Sequence, residues 1–85
     1  MSSQEILYKQ IDEILWNDWD PIGVKFFPSA RDEYQGYIPP IFELKIKGAD
    51  IETIAKKLNE IATERLGLGN MEHDRKVAEK IFNLK

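Results

Sequence analysis

Four carboxylates in the first half of the chain are of a type that could do chemistry: Asp18, Asp20, Asp32 and Glu33. Carboxylates gathered on loops can bind Ca²⁺ or Mg²⁺, and a pair of them can supply the acid and the base of a hydrolase. Their spacing does not match a calcium-binding loop, which needs acidic or amide residues at alternate positions, a turn glycine and a terminal glutamate. A small metal-dependent hydrolase that uses these four residues is nevertheless kept as the alternative function, because the residue types suit that chemistry.

Other chemistry finds little support in the sequence. His73 is the only histidine, and without a second histidine one turn away it is predicted to be an exposed polar residue. The absence of cysteine excludes disulfides, a thiol nucleophile and cysteine-ligated zinc. Gly67-Leu68-Gly69 lacks the third glycine of a dinucleotide-binding fingerprint, and there is no P-loop. We therefore predict no catalytic residue, no metal and no cofactor.

Aromatic residues concentrate in the region of the four carboxylates. Both tryptophans and two of the three tyrosines lie between residues 16 and 37. Most should fill the core, but Trp16 and Trp19 are one helical turn apart, as are Tyr34 and Tyr37, so one of each pair could remain outside. Tryptophan and tyrosine are enriched among residues that carry the binding energy of protein interfaces. The predicted partner surface comprises Trp16, Asp18, Trp19, Asp20, Asp32, Glu33, Tyr34 and Tyr37.

Helical periodicity indicates the element that carries the tryptophans. Ser2 followed by Glu5 is a capping box, and an apolar face continues through Leu7, Ile11, Ile14 and Leu15. Asp20-Pro21 should end this helix, because the residue before a proline is disfavoured in the helical region. Residues 20–28 are predicted to form a folded-back loop whose apolar residues plug the core, namely Ile22, Val24, Phe26 and Phe27.

The second helical region is interrupted by prolines. Ser29 is predicted to be its N-cap, with Asp32 and Glu33 in the first turn. Pro39-Pro40 removes two backbone donors and clashes with the preceding turn. The result is either a kinked helix from about 29 to 47 or two short helices joined at 37–39, and Gly48 should cap its end.

Two further helices follow with clear boundaries. Asp50 should cap the third, which ends at a Schellman motif formed by Gly67 and Leu68. Asn70 should cap the fourth, whose apolar stripe is Val77, Ala78, Ile81 and Phe82. The sequence therefore predicts one all-α domain over residues 1–85, a compact bundle of four helical segments with the second kinked or split at Pro39-Pro40.

Composition narrows the classes of partner and compartment. The chain has 85 residues, 42% hydrophobic and 32% charged, with a net charge of −3. Lysine and arginine are spread along it rather than gathered in a basic stripe, so no nucleic-acid partner is predicted. The first residues are not typical of a signal peptide, and no apolar run approaches the roughly 20 residues of a membrane span. We expect a cytoplasmic protein with no membrane partner and an oligomeric state that the sequence leaves open.

Four short motifs resemble a known family. They are Trp19-Asp20-Pro21-Ile22-Gly23-Val24, Asp32-Glu33-Tyr34-x-x-Tyr37-Ile38-Pro39, Ile54-Ala55-x-x-Leu58 and Glu64-Arg65-x-Gly67-Leu68. Together they are similar to the YugE-like family, small bacterial proteins that share a domain of unknown function. The resemblance covers roughly residues 15–68, and it implies a compact helical fold without enzyme activity. The pair Pro39-Pro40 departs from the single proline of that family.

The predicted function is thus a small cytoplasmic protein-interaction module without catalysis, whose partner is a protein of unknown identity. An immunity protein is one form of it, because small acidic helical proteins can neutralise basic nucleases, and a regulatory protein is another.

Overall fold

The computed structural model of the protein describes residues 2–20, 23, 27–67 and 69–84. Over these residues the fold is all-α, with four α-helices: α1 Ser3–Ile14, α2 Ile38–Ile46, α3 Ile51–Leu66 and α4 Met71–Phe82. They pack as a compact bundle, and the described residues contain no strand. The predicted fold class is confirmed.

Helix α1 begins where the capping signal places it and ends in a wider turn. The Ser2 hydroxyl accepts a hydrogen bond from the backbone N–H of Glu5 at 3.1 Å. After Ile14 the chain forms a π-helical segment over Leu15–Trp19, closed by the Asp20 N–H donating to the Leu15 carbonyl at 3.0 Å. Asp20 then adopts the left-handed region with φ 31°, which stops the helix at the predicted residue.

The second helical region is irregular before it becomes an α-helix. Two 3₁₀ segments, Pro28–Ala30 and Gln35–Tyr37, precede α2, and the whole region bends by 34°. Pro39 and Pro40 lie in the first turn of α2, where a helix does not need their missing N–H groups. The proline pair therefore starts the α-helix, in agreement with the predicted break at 37–39.

Two predictions for residues 20–30 are wrong. Ser29 lies inside a 3₁₀ segment and caps no α-helix, because the regular helix begins only at Ile38. Phe27 is 61% exposed, so it does not plug the core. The other apolar residues predicted to do so, Ile22, Val24 and Phe26, lie outside the described residues.

The remaining helix ends confirm the predicted signals. Gly48, with φ 79°, ends α2 in a Schellman motif, since its N–H donates to Lys45 and the N–H of Ala49 donates to Leu44. Asp50 Oδ1 accepts from the Thr53 N–H at 2.8 Å, and Asn70 Oδ1 accepts from the His73 N–H at 3.1 Å. Gly67 ends α3 with φ 68°, whereas Leu68, predicted to complete a second Schellman motif, is outside the described residues.

The core joins all four helices with the π-helical segment. Its fully buried residues include Ile11 and Leu15, Ile41 of α2, Leu58 of α3 and Ile81 of α4. Phe82, predicted to belong to the stripe of α4, is 41% exposed. Of the helices described, none has both the length and the apolar composition that crossing a membrane requires.

Candidate functional site

Trp19 is the centre of the region that the sequence singled out. Its side chain is 1% exposed, and its indole Nε1–H donates to Asp74 Oδ1 at 2.9 Å. Its backbone carbonyl lies 2.9 Å from His73 Nε2. Because a carbonyl can only accept, Nε2 must carry the hydrogen of this bond. Trp19 thereby attaches the π-helical segment to α4 through two neighbouring residues.

Asp74 is the buried polar residue at this junction, with 2% of its surface exposed. Its second oxygen accepts from Asn59 Nδ2 of α3 at 3.2 Å, so one carboxylate joins α3, α4 and the π-helical segment. Sequence reasoning missed this role, because an acidic residue in the first turn of a helix is fully explained by the helix dipole. It also assigned His73 to the surface, and that is wrong, since the ring is half-buried against Trp19.

The aromatic residues of the predicted partner surface pack on each other. Tyr34 is 2% exposed, and its ring centroid lies 5.4 Å from that of Trp19 and 6.1 Å from that of Trp16. Tyr37 is half-buried and meets Trp19 edge-on at 6.1 Å. Trp16 is only 8% exposed, so both tryptophans are buried and neither takes the outside position that the sequence had left open. These rings are core residues that fix the surface around them.

Asp20 and Arg31 connect this aromatic cluster to the surface. The Tyr34 hydroxyl donates to Asp20 Oδ1 at 2.7 Å. Arg31 donates two hydrogen bonds to Asp12 of α1, at 2.9 and 3.0 Å, and its guanidinium carbon lies 5.2 Å from the Trp16 ring. The hydrogen bond to Asp12 raises the pKa of Arg31 above its ordinary value. Residues 31–34 therefore form a turn that is held at both ends. No pattern in the sequence predicts this role of Arg31 and Asp12.

We call this turn, residues 31–34 with the exposed side chains of Asp32 and Glu33, the acidic turn. Asp20 lies beside it because Tyr34, the last residue of the turn, donates to Asp20. Asp18 is directed elsewhere, toward α4, where its Oδ1 lies 3.2 Å from Lys80 Nζ. Asp20 is thus hydrogen-bonded to the last residue of the acidic turn, whereas Asp18 pairs with α4.

No metal centre is formed by the residues that the structure describes. Among them, no three histidine, cysteine, aspartate or glutamate side chains lie close enough to hold one ion. The four carboxylates of the alternative function are among the side chains that form no such group. Two of them already have partners, since Asp18 pairs with Lys80 and Asp20 accepts from Tyr34. These two carboxylates are thus held at the surface by contacts with neighbouring side chains, and the four do not converge as metal ligands would.

A cleft of about 290 Å³ opens next to Trp19. Its lining combines the end of the π-helical segment with the connection into α4, and its residues are Trp19, Asp20, Ala62, Gly69, Asn70, His73 and Asp74. The connection is tight, because a Cβ on Gly69 would lie 2.6 Å from Thr63 Oγ1. We call it the Trp19 cleft, and it shares Asp20 with the border of the acidic turn.

Comparison with known proteins gives no relative from which a role could be carried over. No model of a protein family, no curated protein and no solved structure matches this chain. The resemblance to the YugE-like family therefore stays a prediction.

Proposed function

We propose that the protein is a small cytoplasmic protein-interaction module without catalytic activity, and that the acidic turn with Asp20 is its partner-facing surface. The observation that carries this proposal is the way in which Asp32 and Glu33 are presented. The residue before them pairs with Asp12 and the residue after them is buried against both tryptophans. The two exposed carboxylates therefore stand on a fixed base rather than on a free loop.

A fixed base favours binding, because little conformational entropy is lost when a partner docks on it. Two adjacent exposed carboxylates on a chain of net charge −3 complement a basic protein surface. An immunity protein that covers a basic nuclease is one form of such a module, and a regulatory protein is another. In either form binding should weaken as the salt concentration rises, because exposed charges are screened.

The test is capture of partners from the source cell with a tagged protein and a carbodiimide, which joins a carboxylate directly to a contacting lysine. The wild type should yield a cross-linked protein whose peptide maps to Asp32 or Glu33. The double variant Asp32→Asn/Glu33→Gln should lose that product. A matched control, Glu64→Gln/Glu79→Gln, removes the same charge from exposed positions on α3 and α4 and should keep it.

The outcome that contradicts the proposal is equally specific. If both double variants give the same cross-linked product at the wild-type yield, the acidic turn is not the partner surface. A metal titration examines the alternative hydrolase separately. With Ca²⁺, Mg²⁺ and Zn²⁺ added in turn, we expect no saturable rise in melting temperature, whereas a saturable rise that is lost in Asp20→Asn would support the alternative.

A further inference from the structure

The Trp19 cleft contains a buried carboxylate, Asp74, that forms no ion pair with the described residues. Asp74 is 2% exposed, and its two hydrogen-bond donors, the indole of Trp19 and the amide of Asn59, are both neutral. Buried carboxylates in proteins are ordinarily paired with a cation as well as hydrogen-bonded. A cation next to Asp74 would complete this site.

The lining of the cleft favours a cation over an anion. None of the described residues that line it is lysine or arginine, and Asp20 adds a second carboxylate to the lining. His73 also lines the cleft, but its Nε2–H is engaged with the Trp19 carbonyl. Each carboxylate oxygen has two lone pairs, so Asp74 can accept further bonds beyond those from Trp19 and Asn59. The cleft therefore offers the acceptors of two carboxylates to a group that enters it.

The size of the cleft indicates the kind of cation. Its volume of about 290 Å³ lies near the lower end of the range for small-molecule sites, roughly 300–1,000 Å³. It is about ten times the share of one liquid water, roughly 30 Å³. A bare metal ion would leave most of this space empty, and the described residues provide no set of three ligands for one. An ammonium or guanidinium group on its alkyl stem fits better.

We propose that the Trp19 cleft binds the basic head group of an arginine or lysine side chain contributed by the protein partner. This inference rests on the proposed function, since it needs a partner at the acidic turn. Asp20 connects the two surfaces, because it lines the cleft and accepts a hydrogen bond from Tyr34 of the turn. One partner could thus meet the exposed carboxylates and place a basic side chain in the cleft.

The experiment is a titration of the ¹⁵N-labelled protein with small probes, followed by NMR. N-acetyl-arginine amide and N-acetyl-lysine amide represent a side chain within a partner, and N-acetyl-citrulline amide is the neutral match to arginine. Saturable shifts are expected at the amides of Gly69 and Asn70 and at the indole of Trp19. The citrulline probe should bind at least about tenfold more weakly, because it lacks the charge that the cleft selects.

Two substitutions locate the binding. Asp74→Asn and Asp20→Asn keep the shape of each side chain and remove its charge, and asparagine tolerates the left-handed backbone of Asp20. Each should weaken the arginine probe at least about tenfold, while Glu79→Gln, an exposed charge of α4, should leave it unchanged. Circular dichroism and the dispersion of the NMR spectrum check that each variant is folded.

Three results would overturn the inference. One is equal binding of the arginine and citrulline probes, and another is full binding by the folded Asp74→Asn variant. The third is binding of agmatine, a small molecule that carries the guanidinium of arginine outside a peptide, without binding of either amide probe. The ligand would then be a small molecule and not a side chain of the partner. A cleft that binds no probe overturns the inference as well, but if capture is lost in Asp32→Asn/Glu33→Gln the proposed function stands. If the cleft binds the probes and Asp32→Asn/Glu33→Gln still captures the partner at the wild-type yield, the proposed function is overturned instead.

Discussion

Asp74 of α4 connects three elements, because its carboxylate receives one donor from the π-helical segment and one from α3. Replacing it with alanine leaves the indole N–H of Trp19 and the amide of Asn59 without their acceptor. The orphaned indole N–H is buried and costs about 1–3 kcal/mol of folding free energy, and the lost hydrogen bond of the part-buried Asn59 amide costs about 1 kcal/mol. We therefore expect Asp74→Ala to lower the free energy of unfolding by about 2–4 kcal/mol, measured by urea denaturation with tryptophan fluorescence.

Asp74→Asn is the control for this loss, because its amide oxygen can still accept from Trp19. It should cost less than alanine, and the difference reports the orphaned indole. A double-mutant cycle with Trp19→Phe examines the same bond, since phenylalanine keeps an aromatic ring and removes the N–H. Equal costs for the alanine and asparagine variants, or a coupling energy near zero in the cycle, would show that this hydrogen bond does not stabilise the fold.

Among the elements, α3 has an acidic cap whose titration should be visible. Hydrogen bonds from the Thr53 side chain and backbone hold the pKa of Asp50 below its usual value of 3.8. The unfolded chain therefore binds a proton at a higher pH than the folded chain does. The stabilisation is complete above pH 3.8 and is lost as the pH falls through the lower, folded-state pKa.

The prediction is that Asp50→Asn makes stability less dependent on pH, because asparagine still caps the helix but does not titrate. The measurement is the urea midpoint of both proteins across a pH series from neutral to strongly acidic. Both midpoints should fall on acidification, since ion pairing also lowers the pKa values of Glu43 and Glu52, but the wild type should fall further. Parallel curves for the two proteins would contradict the role of the Asp50 charge.

Two glycines on either side of α2, Gly36 before it and Gly48 after it, allow a matched pair of substitutions. Gly48 has φ 79°, where alanine is strained, whereas Gly36 has no positive φ and nothing within 4 Å of an added Cβ. Gly48→Ala should cost about 1–2 kcal/mol, which in a domain of this size corresponds to a fall of about 4–16 °C in melting temperature. Gly36→Ala should be neutral or slightly stabilising, because it restricts the unfolded chain. A similar change in both variants would contradict the strain at Gly48.

At the scale of the whole molecule, the sequence predicts those features, such as helix caps and helix ends, that are determined by residues adjacent in the chain. The caps at Asp50 and Asn70, the end of the π-helical segment at Asp20 and the break before Pro40 each follow from a few adjacent residues. These signals are enough to define an all-α bundle. They identify the boundaries of the candidate site but not which of its side chains face inward.

The inward-facing residues depend on contacts between distant parts of the chain. Trp19 meets Asp74 across 55 positions and His73 across 54, and no periodicity in the sequence joins them. The π-helical turn is equally hidden, because its residues continue the apolar spacing of α1. Of the aromatic residues assigned to the predicted partner surface, Trp16, Trp19 and Tyr34 are therefore buried, and the exposed members of that surface are Asp32 and Glu33.

These long-range contacts predict how the molecule unfolds. Trp19 touches α4 through Asp74 and the second helical region through Tyr34 and Tyr37, so its environment should persist until the bundle itself is lost. We expect the urea transitions followed by Trp19 fluorescence and by far-ultraviolet circular dichroism to coincide, as they do for two-state domains. Trp16→Phe leaves Trp19 as the only tryptophan, whose emission can be followed with selective excitation, and serves as the control. A fluorescence transition at clearly lower urea than the loss of helix would mean that the π-helical segment detaches first, and that the acidic turn rests on a separately unfolding unit.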